Sequence, residues 1–362
     1  MSLSIRAITS TLAILFVCNF ASSAAATNEQ SENIHMMTAK EQKEVLKKLK
    51  KQINEQYIDK TVAQKLSSDL EKLSQNKILA NPVDAIEFAE SITLELQSTS
   101  GDKHLRLEYS PQSEALATAQ KSDNEISTDF ASEQEKAMWD SHNMGFDKME
   151  RLPFNIGYLK ISAFAPMKHA EPMIAAAFTL LNRSNALILD LRGNFGGYEY
   201  TSGLLASYLL DKKTHLINMH WRNNNRIEQR WSQAKVNGPR YAIDKPVYIL
   251  VDENTFSAGE VFSHVMKHLK RAKIVGAQTA GASNAGEDYL IDKNFSAFIP
   301  NRRMTNAVTG KGFEGVGVKP DIKTTSELAL NLAQVDYLET LYEITEHPAL
   351  KKRIKARVEL LK

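Results

Sequence analysis

The sequence predicts an α/β protein preceded by a small helical domain, and three observations predict it. Apolar residues recur at helical spacing from Thr38 to Gln97. From about residue 143, short apolar strands alternate with helical stretches, the pattern of a mixed sheet flanked by helices. The composition over 362 residues, 43% hydrophobic and 24% charged, is that of a globular chain long enough for about two domains.

Taken in order, residues 1–26 read as a cleaved signal: Arg6, an apolar run from Ala7 to Phe20, then small residues through Ala26 that suit a signal peptidase. The run is roughly 14 residues, short of the roughly 20 that a membrane-spanning helix needs. The only cysteine, Cys18, lies inside it, so the mature chain is expected to carry no disulfide, and export to the periplasm or medium follows. No integral membrane segment is expected after cleavage.

Residues 33–100 read as a three-helix domain. Val45, Leu49, Ile53 and Tyr57 form one stripe, and Val62, Leu66, Leu70 and Leu73 a second. Asn81-Pro82 reads as a cap with proline at the first helical position, opening a third helix through Ile86, Phe88, Ile92 and Leu96. After Gly101 the period changes to two, with Leu105, Leu107 and Tyr109 on one face of a strand and His104, Arg106 and Glu108 on the other. Pro111 to Asp140 is polar and aperiodic, a connector or flap, so residues 101–142 are taken as first core strand plus connector.

The core is expected over residues 143–326. Its strands are Ile156–Ile161, Ala186–Leu191, Val247–Val251 and Lys273–Gly276. Helices are expected near Pro166–Leu181, Tyr200–Leu210 and Ser257–Leu269, and a hairpin around Asn223–Asn225. Residues 327–362 read as a helical tail.

Chemistry concentrates in a few segments. Thr255-Phe256-Ser257-Ala258-Gly259-Glu260 follows a buried strand and opens a helix, where free N–H groups favour developing negative charge. Ser257 there is a candidate nucleophile, although Ser257 with Glu260 also spells a capping box. A serine needs a base. His264 is too far along the same helix, about 10 Å at 1.5 Å per residue, and the His264/His268 pair lacks the catalytic glutamate of a zinc helix. No metal or other cofactor is expected. His104 sits among polar neighbours at the domain junction. Asp190-Leu191-Arg192-Gly193-Asn194-Phe195-Gly196-Gly197 runs from a strand into a glycine turn of the kind an oxyanion hole requires. Gly310-Lys311-Gly312-Phe313-Glu314-Gly315 matches a dinucleotide fingerprint, but Pro320 blocks the helix such a site needs.

These segments, in this order, resemble the serine peptidases related to tail-specific (C-terminal-processing) protease and tricorn protease, most of all the branch with the interphotoreceptor retinoid-binding protein modules. The likeness runs from about Asn33 to Asp321. It implies a ClpP/crotonase-like ββα core behind a helical domain, with Ser257 as nucleophile, His104 as general base and Glu314 as the acid that orients or supports the base. It also implies an oxyanion hole from the N–H of Ala258 and of a glycine in the Gly196-Gly197 turn.

Two departures shape the expectation. The bacterial tail-specific enzymes use a Ser–Lys dyad with the lysine after the nucleophile helix, whereas Thr279-Ala280-Gly281-Ala282-Ser283 offers none. Their PDZ domain is replaced here by the short connector. The expected activity is therefore hydrolysis of peptides or proteins by an exported serine peptidase. The alternative is a non-catalytic binder of an apolar ligand, a retinoid or fatty acid, on the same fold. A net charge of +2 gives no bulk reason to expect nucleic acid, even with Trp221, Arg222, Arg226, Arg230 and Trp231 interleaved on the hairpin. Composition is silent on oligomeric state.

Overall fold

Strand Ala186–Asp190 is apolar on both sides, and its residues divide by parity. Leu187 and Leu189 join the core cluster under helices Met167–Leu181, Glu199–Leu209 and Ala258–His268. Ala186 and Ile188 join the cluster under helices Ser326–Ile344 and Pro348–Leu361. Strand Val247–Val251 divides the same way, which places a sheet between two helical layers.

The computed structural model describes residues 35–75, 81–111, 129–130 and 132–362; the signal segment, Cys18 and most of the connector lie outside them. The central sheet has six strands, in the order Ile322–Lys323, Lys273–Gly276, Val247–Val251, Ala186–Asp190, Ile156–Ile161 and Phe146–Leu152. Its pairings are parallel except at the Phe146–Leu152 edge, which pairs antiparallel. A five-stranded antiparallel sheet stands beside it, built on the long strand Phe295–Asn306, which pairs with Asn284–Asp292, with Arg106–Tyr109 and with His215–Trp221; Ile227–Trp231 completes it.

Helices Ala39–Gln56, Lys60–Gln75 and Ala85–Ser100 share one core with this second sheet, through Leu105, Leu107, Phe295, Ala297 and Ile299. The first two stripes pack as the spacing predicts. The third helix starts later than Asn81-Pro82: Val83 and Asp84 pair with Met37 and Met36, and the Asp84 carboxylate caps the Ile86 and Glu87 N–H groups at 2.9 and 3.2 Å. Ile86 therefore lies in the first turn and is exposed.

Two elements depart from the sequence reading. Part of the expected connector is the helix Glu133–Ser141, capped by Ser132 Oγ on the Glu135 N–H (3.1 Å); Ser132-Glu133-Gln134-Glu135 has the capping-box pattern that signals it. The hairpin Asn284–Asp292/Phe295–Asn306 has no counterpart in the predicted elements. Pro300 argues against a central strand, yet it sits opposite Gly286 beside a bulge, where no ladder hydrogen bond is asked of it.

Candidate active site

The parallel strands end at one edge, and their C-terminal loops make the site, as is usual in α/β sheets. After Val251, the chain turns through Asp252–Phe256 to Ser257, which takes φ 50° and ψ −119°. A side chain in that region is strained by about 1–3 kcal/mol, and neighbours must hold it there. Thr255 Oγ1 donates to Leu191 O (2.8 Å), Phe256 N–H to Asn194 O (2.8 Å) and Gly193 N–H to Asp252 Oδ1 (2.9 Å). The serine turn and the glycine turn are thus laced together.

Asn194, fully buried, is central to this lacing. Its amide donates to Ile161 O (2.8 Å), and its Oδ1 accepts the Gly196 N–H (2.9 Å). Gly196 (φ 94°) lies so near the serine that a Cβ added to it would stand 2.7 Å from Ser257 Cβ and 3.2 Å from the Ala258 nitrogen. Because Asn194 occupies the Gly196 N–H, the two sequence-predicted glycines are not equivalent. The N–H groups of Gly197 (φ 114°) and Ala258, by contrast, have no hydrogen-bond partner among the described residues.

Glu260 does more than cap. Fully buried, its carboxylate accepts from the N–H groups of Ser257 (3.1 Å), Gly281 (2.7 Å) and Ala282 (2.9 Å) and from Thr279 Oγ1 (2.5 Å). Burial pushes its pKa up against these bonds. It ties helix Ala258–His268 to loop 279–283, whose Ala280 carbonyl also takes Lys103 Nζ at 2.8 Å.

His104 is 6% exposed, packed against Phe256, the neighbour of Ser257, at 4.6 Å between ring centroids, and against Phe298 at 6.0 Å. Glu314 Oε2 accepts from the N–H groups of Ser283 (2.6 Å) and Asn284 (2.7 Å). Asn284 in turn donates its side-chain amide to Asp102 Oδ2 (2.9 Å), so Glu314, Asp102 and His104 occupy one continuous buried cluster. Asp102 and Asn194 were not singled out in the sequence; the pattern Asp-x-His was the available signal for the first.

The cluster has opposed titration behaviour. Burial pushes His104 down to about 4 against the pull of Asp102, with Arg106 lowering it further. Burial and the nearby Asp102 charge push Glu314 up to about 7, against its backbone hydrogen bonds. As pH falls from about 6.5, the unfolded chain protonates its histidine first, so up to about 3 kcal/mol of stability is lost on the way to pH 4. As pH rises from about 4.5, the unfolded chain ionises its glutamate first, so stability is lost toward pH 7. The two slopes offset each other over that interval. His104→Ala should therefore lose stability from pH 5 to 7 in urea unfolding, and Glu314→Gln should gain it, both relative to the parent protein. Parallel pH profiles for all three proteins would refute these shifts.

Helix Glu133–Ser141 buttresses the glycine turn: Glu135 Oε1 accepts from Tyr198 OH (2.7 Å), and Trp139 stacks on Phe195 at 6.4 Å. Between the helical domain and the hairpin lies an open pocket of about 310 Å³ lined by Ile58, Lys60, His220, Trp221, Arg222, Asn225 and Ile227, a lining that mixes aliphatic, aromatic and basic side chains.

A family model described as peptidase family S41 matches residues 155–324, and one described as the N-terminal domain of peptidase S41 in eukaryotic IRBP matches residues 29–140. The nisin-resistance protein of Lactococcus lactis subsp. lactis is 29% identical over 160 residues, 40% of this chain and 48% of that protein. Carboxy-terminal processing protease CtpA of Bacillus subtilis is 24% identical over 187 residues, 51% of this chain and 38% of that protein. The chain spans less than half the length of these curated relatives. Among solved structures, a putative peptidase from Parabacteroides merdae superposes with a TM-score of 0.54 at 17% identity, over 80% of this chain and 90% of that one. Mature CPAF does so with 0.52 at 15% identity, over 84% and 96%. At those identities the likeness is one of fold.

Proposed function

Because the chain belongs to peptidase family S41, we propose that it is an exported serine peptidase whose nucleophile is Ser257. His104 takes the Oγ proton as Oγ attacks the scissile carbonyl. The oxyanion is held by the N–H groups of Ala258 and Gly197, and His104 returns the proton to the leaving amine. A water, activated by the same histidine, then hydrolyses the acyl-enzyme. Glu314 supports the base by fixing the Ser283–Asn284 backbone. No step calls on a metal or other cofactor.

The observation that carries this reading is the junction of a strained serine with a glycine turn, where the N–H of Ala258, next to Ser257, and that of Gly197, next to the glycine that abuts it, have no hydrogen-bond partner among the described residues. A plain helix cap needs neither the strain nor the interlocked turn. Labelling of the full chain with a fluorophosphonate, the site mapped by mass spectrometry, tests it. Label is expected on Ser257 and is expected to disappear in Ser257→Ala and His104→Ala. A folded protein that takes no label, or takes it elsewhere, returns Ser257 to a structural role.

A further inference from the structure

His104 Nδ1 is buried with no hydrogen-bond partner, and the acceptor facing it is Asp102 Oδ1 at 3.8 Å. Asp102 is 1% exposed, and the groups around it donate: the His104 N–H to Oδ1 (3.0 Å), Tyr57 OH (3.1 Å) and Asn284 Nδ2 (2.9 Å) to Oδ2. A site made of donors suits a carboxylate. Glu314 Oε2 is committed to Ser283 and Asn284, and its buried Oε1 has no hydrogen-bond partner. Among the described residues no hydrogen bond joins Glu314 to His104. The ring also packs against Phe256 and Phe298, with Arg106 lying over the Phe298 ring at 4.5 Å.

We propose that Asp102 is the positioning residue of the general base: it turns His104 so that Nδ1–H faces Oδ1 and Nε2 is left to take the Ser257 proton, while Tyr57 of the helical domain and Asn284 hold Asp102 in place. The inference rests on the reading of Ser257 and His104 as nucleophile and base. The 3.8 Å separation is longer than a hydrogen bond; catalytic hydrogen bonds are often long before substrate binds and shorten as the imidazolium forms. Nε2 gains the serine proton, Nδ1 keeps its own, and Asp102 stabilises the resulting positive charge without being protonated. Glu314 then acts one step removed, through Asn284. Tyr57 makes the helical domain part of the catalytic assembly rather than a packing module, and burial together with the Asp102 charge holds its phenol proton in place.

The test uses two readouts on the full chain: the rate of fluorophosphonate labelling at Ser257, and the ¹⁵N chemical shifts of the His104 ring, which report its tautomer. Asp102→Asn should slow labelling about 100-fold or more and move the neutral ring from Nδ1–H toward Nε2–H. Glu314→Gln should slow labelling less and keep the tautomer, and Tyr57→Phe should slow it several-fold. Wild-type rate and tautomer in Asp102→Asn overturn the proposal, as does a tautomer that moves with Glu314→Gln instead. If Asp102→Asn does not fold, Tyr57→Phe decides, since it removes one donor and no charge: unchanged rate and ring shifts overturn it. A wild-type protein that takes no label refutes the peptidase reading instead, and the ring shifts still decide whether Asp102 orients His104.

Discussion

Ser257→Ala is expected to cut turnover by about 10⁴–10⁶-fold while leaving stability nearly unchanged, whereas Ser257→Gly is expected to be as inactive but more stable than the parent. Both variants lose Oγ, and with it the acyl-enzyme route. They differ in the backbone. Alanine keeps the Cβ that makes φ 50°, ψ −119° costly, so the strain remains. Glycine adopts that conformation freely and recovers about 1–3 kcal/mol of strain, against about 0.5–1 kcal/mol for the extra freedom of its unfolded chain. The net gain should be about 1 kcal/mol, a rise of a few degrees in Tm. Casein hydrolysis and thermal unfolding of the two variants check this. More than a tenth of parent turnover in Ser257→Ala moves the nucleophile elsewhere, and a lower Tm in Ser257→Gly removes the argument from strain.

The residues explain which parts of this molecule were legible in advance. Strands Ile156–Ile161, Val247–Val251 and Lys273–Gly276 are apolar runs bounded by turns, and each lies where the run lies. The place of Ser257 between a strand and a helix start was legible because strand, serine and helix start are adjacent in sequence. The polar cluster was not. Asp102 meets Asn284 and Tyr57 through side-chain bonds between residues 182 and 45 positions apart, and no periodicity encodes such contacts. Asn194 resembles any turn asparagine until its two amide atoms are seen bonding in different directions. The hairpin Asn284–Asp292/Phe295–Asn306 was not legible because strand Asn284–Asp292 is polar and only partly buried, and its partner contains a proline tolerated beside a bulge.

Gly197→Ala should lower kcat by about 10²–10³-fold, the loss typical of one displaced oxyanion donor. At φ 114° an alanine is strained whatever the space, and here there is none: its Cβ would stand 2.3 Å from the Phe164 carbonyl oxygen. That oxygen accepts the Tyr198 N–H (2.8 Å), while the Phe164 N–H donates to Gly196 O (2.8 Å), so the turn cannot yield without breaking the bridge that aims the Gly197 N–H. Gly193→Ala separates strain from aim. It also has a positive φ, 70°, but no atom lies within 4 Å of its added Cβ. It should cost about 1 kcal/mol of stability and leave kcat within a few-fold of the parent. Kinetics and thermal unfolding of both variants on one substrate provide the comparison. If Gly193→Ala loses as much kcat as Gly197→Ala, general loosening of the turn explains the loss. If only Gly197→Ala is crippled, the N–H at that position is doing electrostatic work on the transition state. Gly196→Ala should then fail for a different reason, because its Cβ would press on Ser257 Cβ at 2.7 Å and displace Ser257 itself.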